Sequence, residues 1–235
     1  MTPLNNKVHA NIKITKSNDV SRFKEQQLIP ITAQDFIPLS TEFPIVFVKN
    51  AETGQFTSVA MMGIRPGVNL YCQGTDWPCH VQPLGFQNGP LSLVKTDMES
   101  DQVMVCFDEK SPLINDVHGE ALFDEKGNQT EFLIQKTDSL LRIAEYVEQT
   151  QEINEIFAKN KLLISKKLNV KISSEKDPVL LSGIYLIDDN VLNTLPTNEF
   201  ETLRNKGLLP LIYAHLASLN QITRLTLKQN EFDTK

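Results

Sequence analysis

Six side chains have the types and settings that binding or catalysis uses: Arg65, Asn69, Trp77, Phe86, Asp108 and His215. Arg65 precedes Pro66-Gly67, behind an apolar run and ahead of a loop-forming stretch that contains Asn69. A guanidinium placed there can hold a carboxylate or phosphate in a fork of hydrogen bonds. A salt bridge that pins the loop is the preferred reading. Trp77, the only tryptophan, and Phe86 lie in the Gly- and Pro-rich stretch 73–90. They form an aromatic platform for a peptide or ring, or they pin a loop that has no other core; pinning is preferred. Asp108 and Glu109 end an apolar strand, where general acids and bases are often placed. Turn capping and surface charge explain them equally well. His215, between Tyr213-Ala214 and Leu216, is either a base or ligand, or a hydrogen-bonded interior histidine, which is preferred.

Metal chemistry finds little support. Cys72, Cys79 and Cys106 form no CxxC pair, and His80 and His118 complete no zinc spacing. The cysteines read as reduced, partly buried thiols rather than a disulfide framework. Asp124-Glu125 and Asp188-Asp189 lack the spaced ligands of a calcium loop. There is no GxxxxGK[ST], GxGxxG, GxSxG or HExxH. No catalytic residue, metal or cofactor is therefore assigned, and the balance leans away from an enzyme.

The bulk properties limit the partners. The formal charge is −6 and the pI about 5.3. Without a basic run, such a chain repels a phosphate backbone, so nucleic acid is not an expected partner. No apolar run approaches the roughly 20 residues of a membrane helix. The first residues hold no apolar stretch of the secretory kind, so a cytoplasmic location is the default expectation.

The elements that must position these side chains are those of an α+β protein. A polar arm is expected over 1–27, one domain over 28–227 and a polar tail over 228–235. Leu28-Ile29-Pro30-Ile31 and Phe36-Ile37-Pro38-Leu39 are broken by prolines and read as extended edges or turns. Residues 43–48 and 56–64, around a turn at Gly54, predict a β-hairpin. Two more strands, 91–94 and 102–107, are joined by an acidic turn. Residues 119–127 form an acidic loop anchored by Ala121-Leu122-Phe123. Thr130 caps a helix to about 159, with a break conceivable at Thr150-Gln151. Residues 168–172 and 179–187 predict a second hairpin. Short helices follow at Asp188 and at Thr197, which is expected as a cap, and one helix spans 208–227. The fold class is thus an antiparallel or mixed sheet built from hairpins, with the C-terminal helices packed on it.

Several segments together carry a resemblance. Phe43-Pro44-Ile45-Val46-Phe47-Val48, Met62-Gly63-Ile64-Arg65-Pro66-Gly67-Val68-Asn69-Leu70-Tyr71 and Val105-Cys106-Phe107-Asp108-Glu109-Lys110-Ser111-Pro112 are three of them. Ala121-Leu122-Phe123-Asp124-Glu125-Lys126-Gly127, Gly183-Ile184-Tyr185-Leu186-Ile187-Asp188 and Leu211-Ile212-Tyr213-Ala214-His215-Leu216-Ala217-Ser218-Leu219 are the others. In this order they resemble the segments of the SapC family of bacterial proteins. Trp77 is kept, but His80-Val81-Gln82-Pro83 and Asn88-Gly89-Pro90-Leu91 replace the family's Tyr-Val-Pro and Arg-Tyr-Pro-Phe pieces. The resemblance implies a link to a bacterial surface layer, and gene neighbourhoods with outer-membrane receptors and halogenase-like or cupin-like proteins. It brings no agreed reaction and no catalytic residues. A non-catalytic accessory protein that binds a protein or peptide is the first expectation. An enzyme acting on a small molecule or peptide, through a cleft containing Arg65, Asp108 and His215, is the second.

Overall fold

The computed structural model describes residues 2–15, 19–95 and 103–234. The chain folds into two compact units. One comprises residues 1–18 and 84–145, the other residues 19–83 and 146–235. Neither is a continuous stretch of sequence.

In the first unit, Val103–Phe107 pairs antiparallel with Leu91–Lys95 on one side and with Thr2–Pro3 on the other. The turn expected between the two longer strands lies outside the described residues. A second small sheet sets Lys13–Ile14 between Ile114–Asn115 and Glu120–Ala121. Residues 2–15, expected as part of an arm, therefore supply two strands. Each is only two residues long, too short for an alternating pattern to be read. The core gathers Ile14, Leu91, Phe107, Leu122, Phe123, Leu133 and Leu140. Leu122 and Phe123 are the anchor expected of the acidic loop.

The second unit is built on a five-stranded antiparallel sheet. Its order is Leu163–Val170, Val179–Ile187, Ile45–Lys49, Phe56–Met61, Leu28–Pro30. The two hairpins share this sheet, joined where Tyr185 faces Phe47 and Ile184 faces Val48. Ile45, Val46 and Phe47 are fully buried. Such a run of β-branched and aromatic residues suits a central strand covered on both faces. Phe47 sits at the centre of this core, with its ring 6.2 Å from Phe36 and 6.1 Å from Phe157. Leu28–Pro30 holds the sheet edge, the place where a proline's missing donor does least harm.

The helices differ from expectation in several places, and the one expected to run to about 159 keeps its full length. Phe36–Leu39 is one helical turn rather than an extended edge. The Asp35 carboxylate accepts from both the amide and the hydroxyl of Thr32, which sets the entry, and Pro38 falls in the first turn, where no N–H is needed. The helix Glu131–Lys159 runs through Thr150 without a break. Thr150 donates back to the Tyr146 carbonyl and accepts the Ala33 amide, so its hydroxyl is used without opening the helix. Thr197 is the first residue of its helix rather than the cap, which is Pro196. The single helix expected over 208–227 is two, Leu209–Ser218 and Gln221–Asp233. At the break, the Ser218 hydroxyl donates to the His215 carbonyl and accepts the Ile45 amide at 2.9 Å. A side chain that competes for helical carbonyls and ties itself to a strand ends the helix there. The residues expected as a polar tail continue the second helix to Asp233.

Candidate functional site

Arg65, Asn69, Trp77 and His215 belong to the second unit, Phe86 and Asp108 to the first. In the first, Phe86 is buried at 6% exposure. Asp108 is half-buried and closes the turn after its strand, with Oδ1 accepting the Lys110 amide at 3.1 Å.

In the second unit, Arg65 is committed to the protein itself. Nη1 and Nη2 each donate to Asp233 at 2.9 Å, a bidentate pair. Nη2 also reaches Ser174 and Glu175 at 3.0 Å. Ser174 and Gln229 add hydrogen bonds to the same carboxylate. Arg65 thus ties its loop to the 173–175 turn and to the end of the last helix, as a planar fork does best. No local sequence signal marks this cluster, because Arg65 and Asp233 lie 168 residues apart. Burial pushes the Asp233 carboxyl up. The hydrogen bonds from Ser174 and Gln229 and the Arg65 charge outweigh that and hold it below its ordinary value of 3.8.

Asp233→Ala is expected to lower stability by about 1–2 kcal/mol at neutral pH, because Arg65 is a third exposed and water replaces part of what is lost. A carboxyl whose pKa is lowered by folding stabilises above its unfolded value and loses that contribution as pH falls through the folded one. The difference between wild type and variant therefore shrinks below pH 3.8, the unfolded reference. Urea titrations at pH 7 and pH 3 measure it, and an unchanged gap would contradict the clamp.

Asn69 is fully buried and organises its own loop. Its Oδ1 accepts the Tyr71 amide at 3.0 Å, and its backbone carbonyl takes the Gln73 side-chain amide at 2.6 Å. Trp77 is half-buried, its ring 5.8 Å from Phe43 and 6.3 Å from Tyr71, with Nε1 donating to the Val81 carbonyl at 2.8 Å. Tyr71 in turn lies under Lys228, whose Nζ is 4.7 Å from the ring centroid. The tryptophan thus pins the irregular segment onto the core. Burial pushes the nearby thiols up, Cys72 to about 12 and Cys79 to about 11, so both are protonated and weakly nucleophilic at neutral pH. Among the described residues, no three of His, Cys, Asp and Glu gather as a metal site.

His215 is sealed in the core, with no exposed surface. Its Nε2 accepts the Ile187 amide at 3.0 Å, and its ring lies 5.2 Å from Phe47. Burial drives its pKa from 6.5 to about 4, with a backbone contact to Ile45 working the other way. The imidazole is neutral at pH 7 and joins helix to strand.

One surface stands apart. The helix Leu209–Ser218 contains no Asp, Glu, Lys or Arg. Ile212, His215 and Ser218 face inward, while Pro210, Tyr213 and Ala217 are exposed. These three lie three and four residues apart and so form one stripe. The short helix Phe36–Leu39 packs beside it and exposes Ile37 and Pro38. In the sequence Tyr213 stands out only as a flanking residue of His215; the stripe is a property of burial, which residue type does not display.

No helix among the described residues is long and apolar enough to cross a membrane. The model of one protein family, SapC, matches residues 4–225. No curated protein and no solved structure matches the chain.

Proposed function

The chain belongs to the SapC family, and on that premise we propose that it is a non-catalytic accessory protein that docks a protein or peptide partner on the uncharged face of the Leu209–Ser218 helix. The observation that carries this reading is the mismatch between the helix's composition and its setting. A helix apolar on every side belongs in a core. This one carries no charge yet leaves Tyr213 53% exposed, and the short helix packed against it leaves Ile37 57% exposed, on a chain with a net charge of −6. Tyrosine with aliphatic neighbours and no charge is the composition of an interface centre. The committed states of Arg65 and His215 support a binding role over catalysis. A cytoplasmic setting, avoidance of nucleic acid, and association with cell-surface or halogenase-type neighbours belong to the same proposal.

The test is Tyr213→Lys, alone and with Ile37→Lys. Both positions are exposed, so stability is expected to stay within about 0.5 kcal/mol of wild type. Tagged wild type and variant are used to capture partners from the native host, with mass spectrometry of what each retains. A protein held by wild type and lost from the variants is the expected result. Identical sets, or none from wild type, would overturn the reading.

A further inference from the structure

A cleft of about 380 Å³ opens in the first unit. That volume lies in the lower part of the roughly 300–1,000 Å³ typical of small-ligand sites. The lining holds no charged side chain and is more polar than apolar. Four separate parts of the chain converge on it: the N-terminal turn with Asn5 and Asn6, the strand Val103–Phe107, the turn from Phe123 to Gln129, and the helix side chains Leu133 and Thr137.

Two carboxamides of the lining are held at one end and unused at the other. Asn5 Oδ1 accepts the Lys7 amide at 2.8 Å, and Asn6 Nδ2 donates to the Gly127 carbonyl at 3.0 Å. The partners fix which end is which, since a backbone N–H meets only the oxygen end and a carbonyl only the nitrogen end. Asn5 is braced further. Its own amide donates at 2.9 Å to Nδ1 of His9, which is buried and packs edge-on against Phe107 with the ring centroids 4.6 Å apart. Among the described residues, Asn5 Nδ2 and Asn6 Oδ1 have no partner, and the Gln129 carboxamide has none at either end. The Thr137 hydroxyl donates to the Leu133 carbonyl at 2.9 Å, which leaves its oxygen as an acceptor. The cleft thus offers donors and acceptors together, with apolar surface from Phe123 and Leu133 between them and the core.

The complement of such a lining is a neutral group that donates and accepts from one atom, repeated along an apolar frame. A hydroxyl is that group. A charged ligand would lose its hydration with no lining charge to offset the loss. A wholly apolar one would cut the carboxamides off from water and leave them unpaired. We propose that this cleft binds a neutral saccharide, its hydroxyls on Asn5, Asn6, Gln129 and Thr137 and the C–H face of a ring against Phe123 and Leu133. The site is separate from the helix face of the second unit and stands or falls independently of it.

The probes are glucose, N-acetylglucosamine and maltose, each titrated into the full chain carrying 13C-methyl methionine. Met104 lines the cleft, and its methyl signal, assigned through Met104→Leu, reports binding. With at least one probe it is expected to shift and saturate, while Met61 and Met62 of the second unit stay in place. Glucuronate and the uncharged acetyl-Gly-Gly-amide are expected to bind that site about tenfold more weakly or less. Asn5→Asp keeps the oxygen that accepts the Lys7 amide but puts an acceptor where the unused donor was, so binding is expected to fall about tenfold. Its denaturation midpoint is expected to match wild type. Gln129→Ala, at an exposed position whose side chain bonds to nothing in the fold, is expected to weaken binding in the same way. A static Met104 signal with all three sugars, equal binding of glucuronate or of the peptide, or undiminished binding in both variants would each overturn the proposal.

Discussion

A His215→Ala variant is expected to lose about 3–5 kcal/mol of stability, from a cavity in a closed core together with a buried amide left without its acceptor. The side chain has no exposed surface, and the Ile187 amide donates to its Nε2. Chemical denaturation at pH 7 measures the loss. The same residue sets a pH dependence. The folded pKa is about 4 against an ordinary 6.5. Below pH 6.5 the unfolded chain takes up a proton that the folded one refuses. Stability is therefore full above 6.5 and declines as pH falls towards 4, by about 3 kcal/mol in all. His215→Gln has no such titration, and its carboxamide oxygen is placed to accept from Ile187. Its denaturation midpoint should be flat across that window once the common slope of the carboxylates is removed. An identical slope in wild type and His215→Gln would remove His215 as the cause.

The second large effect is expected at Gly63. A Cβ built there would stand 1.8 Å from the Val68 carbonyl oxygen, so the two cannot coexist. The loop between them is held from several sides. The Leu70 amide donates to the Met62 carbonyl at 2.8 Å, and the Gln27 side chain donates to the carbonyls of Gly63 and Ile64 at 3.1 Å. Gly63→Ala must displace backbone rather than a flexible side chain, and a loss of more than about 3 kcal/mol is expected. Gly67, four residues on, is the internal control. Its φ is +76°, but nothing lies within 4 Å of a Cβ there. Gly67→Ala carries only the left-handed backbone penalty of about 1–2 kcal/mol. Thermal melts of the two variants should differ plainly; similar melting would refute the close-approach argument.

The parts of this fold that sequence made legible are those written in adjacent residues. The run Ile45-Val46-Phe47-Val48, the turn before Gly54 and the stripe Leu133, Leu140, Ala144 declare strand, hairpin and helix locally. What escaped is carried by distant groups. Ser218 ends a helix because it meets the Ile45 amide, and nothing in Leu216-Ala217-Ser218-Leu219 announces that. Arg65 was legible as a special cation, and a salt bridge was its preferred reading, but Asp233 was hidden in residues that looked like a tail. The two-unit arrangement is only partly marked in composition. Of the three boundaries along the chain, one follows residue 18, one falls within the Gly- and Pro-rich stretch and one inside a continuous helix. Of the six candidate residues, Asn69 and His215 are fully buried and Arg65 is bonded to its own fold. Residue type suggested chemistry, while burial and bonding state, which sequence does not display, decide what each group can do.

The central strand of the five-stranded sheet has a consequence for synthesis. Ile45–Lys49 receives Phe56–Met61 within moments of emerging, but its other neighbour is Val179–Ile187. At roughly 5–20 residues per second, about 7–30 seconds pass before that neighbour exists. During this time the nascent chain presents an unpaired edge made of Ile, Val and Phe, the kind of edge that recruits other strands. The ribosome-bound protein is thus an open half-sheet awaiting its closing hairpin, and yield on expression should depend on translation speed and on chaperones that shield strand edges.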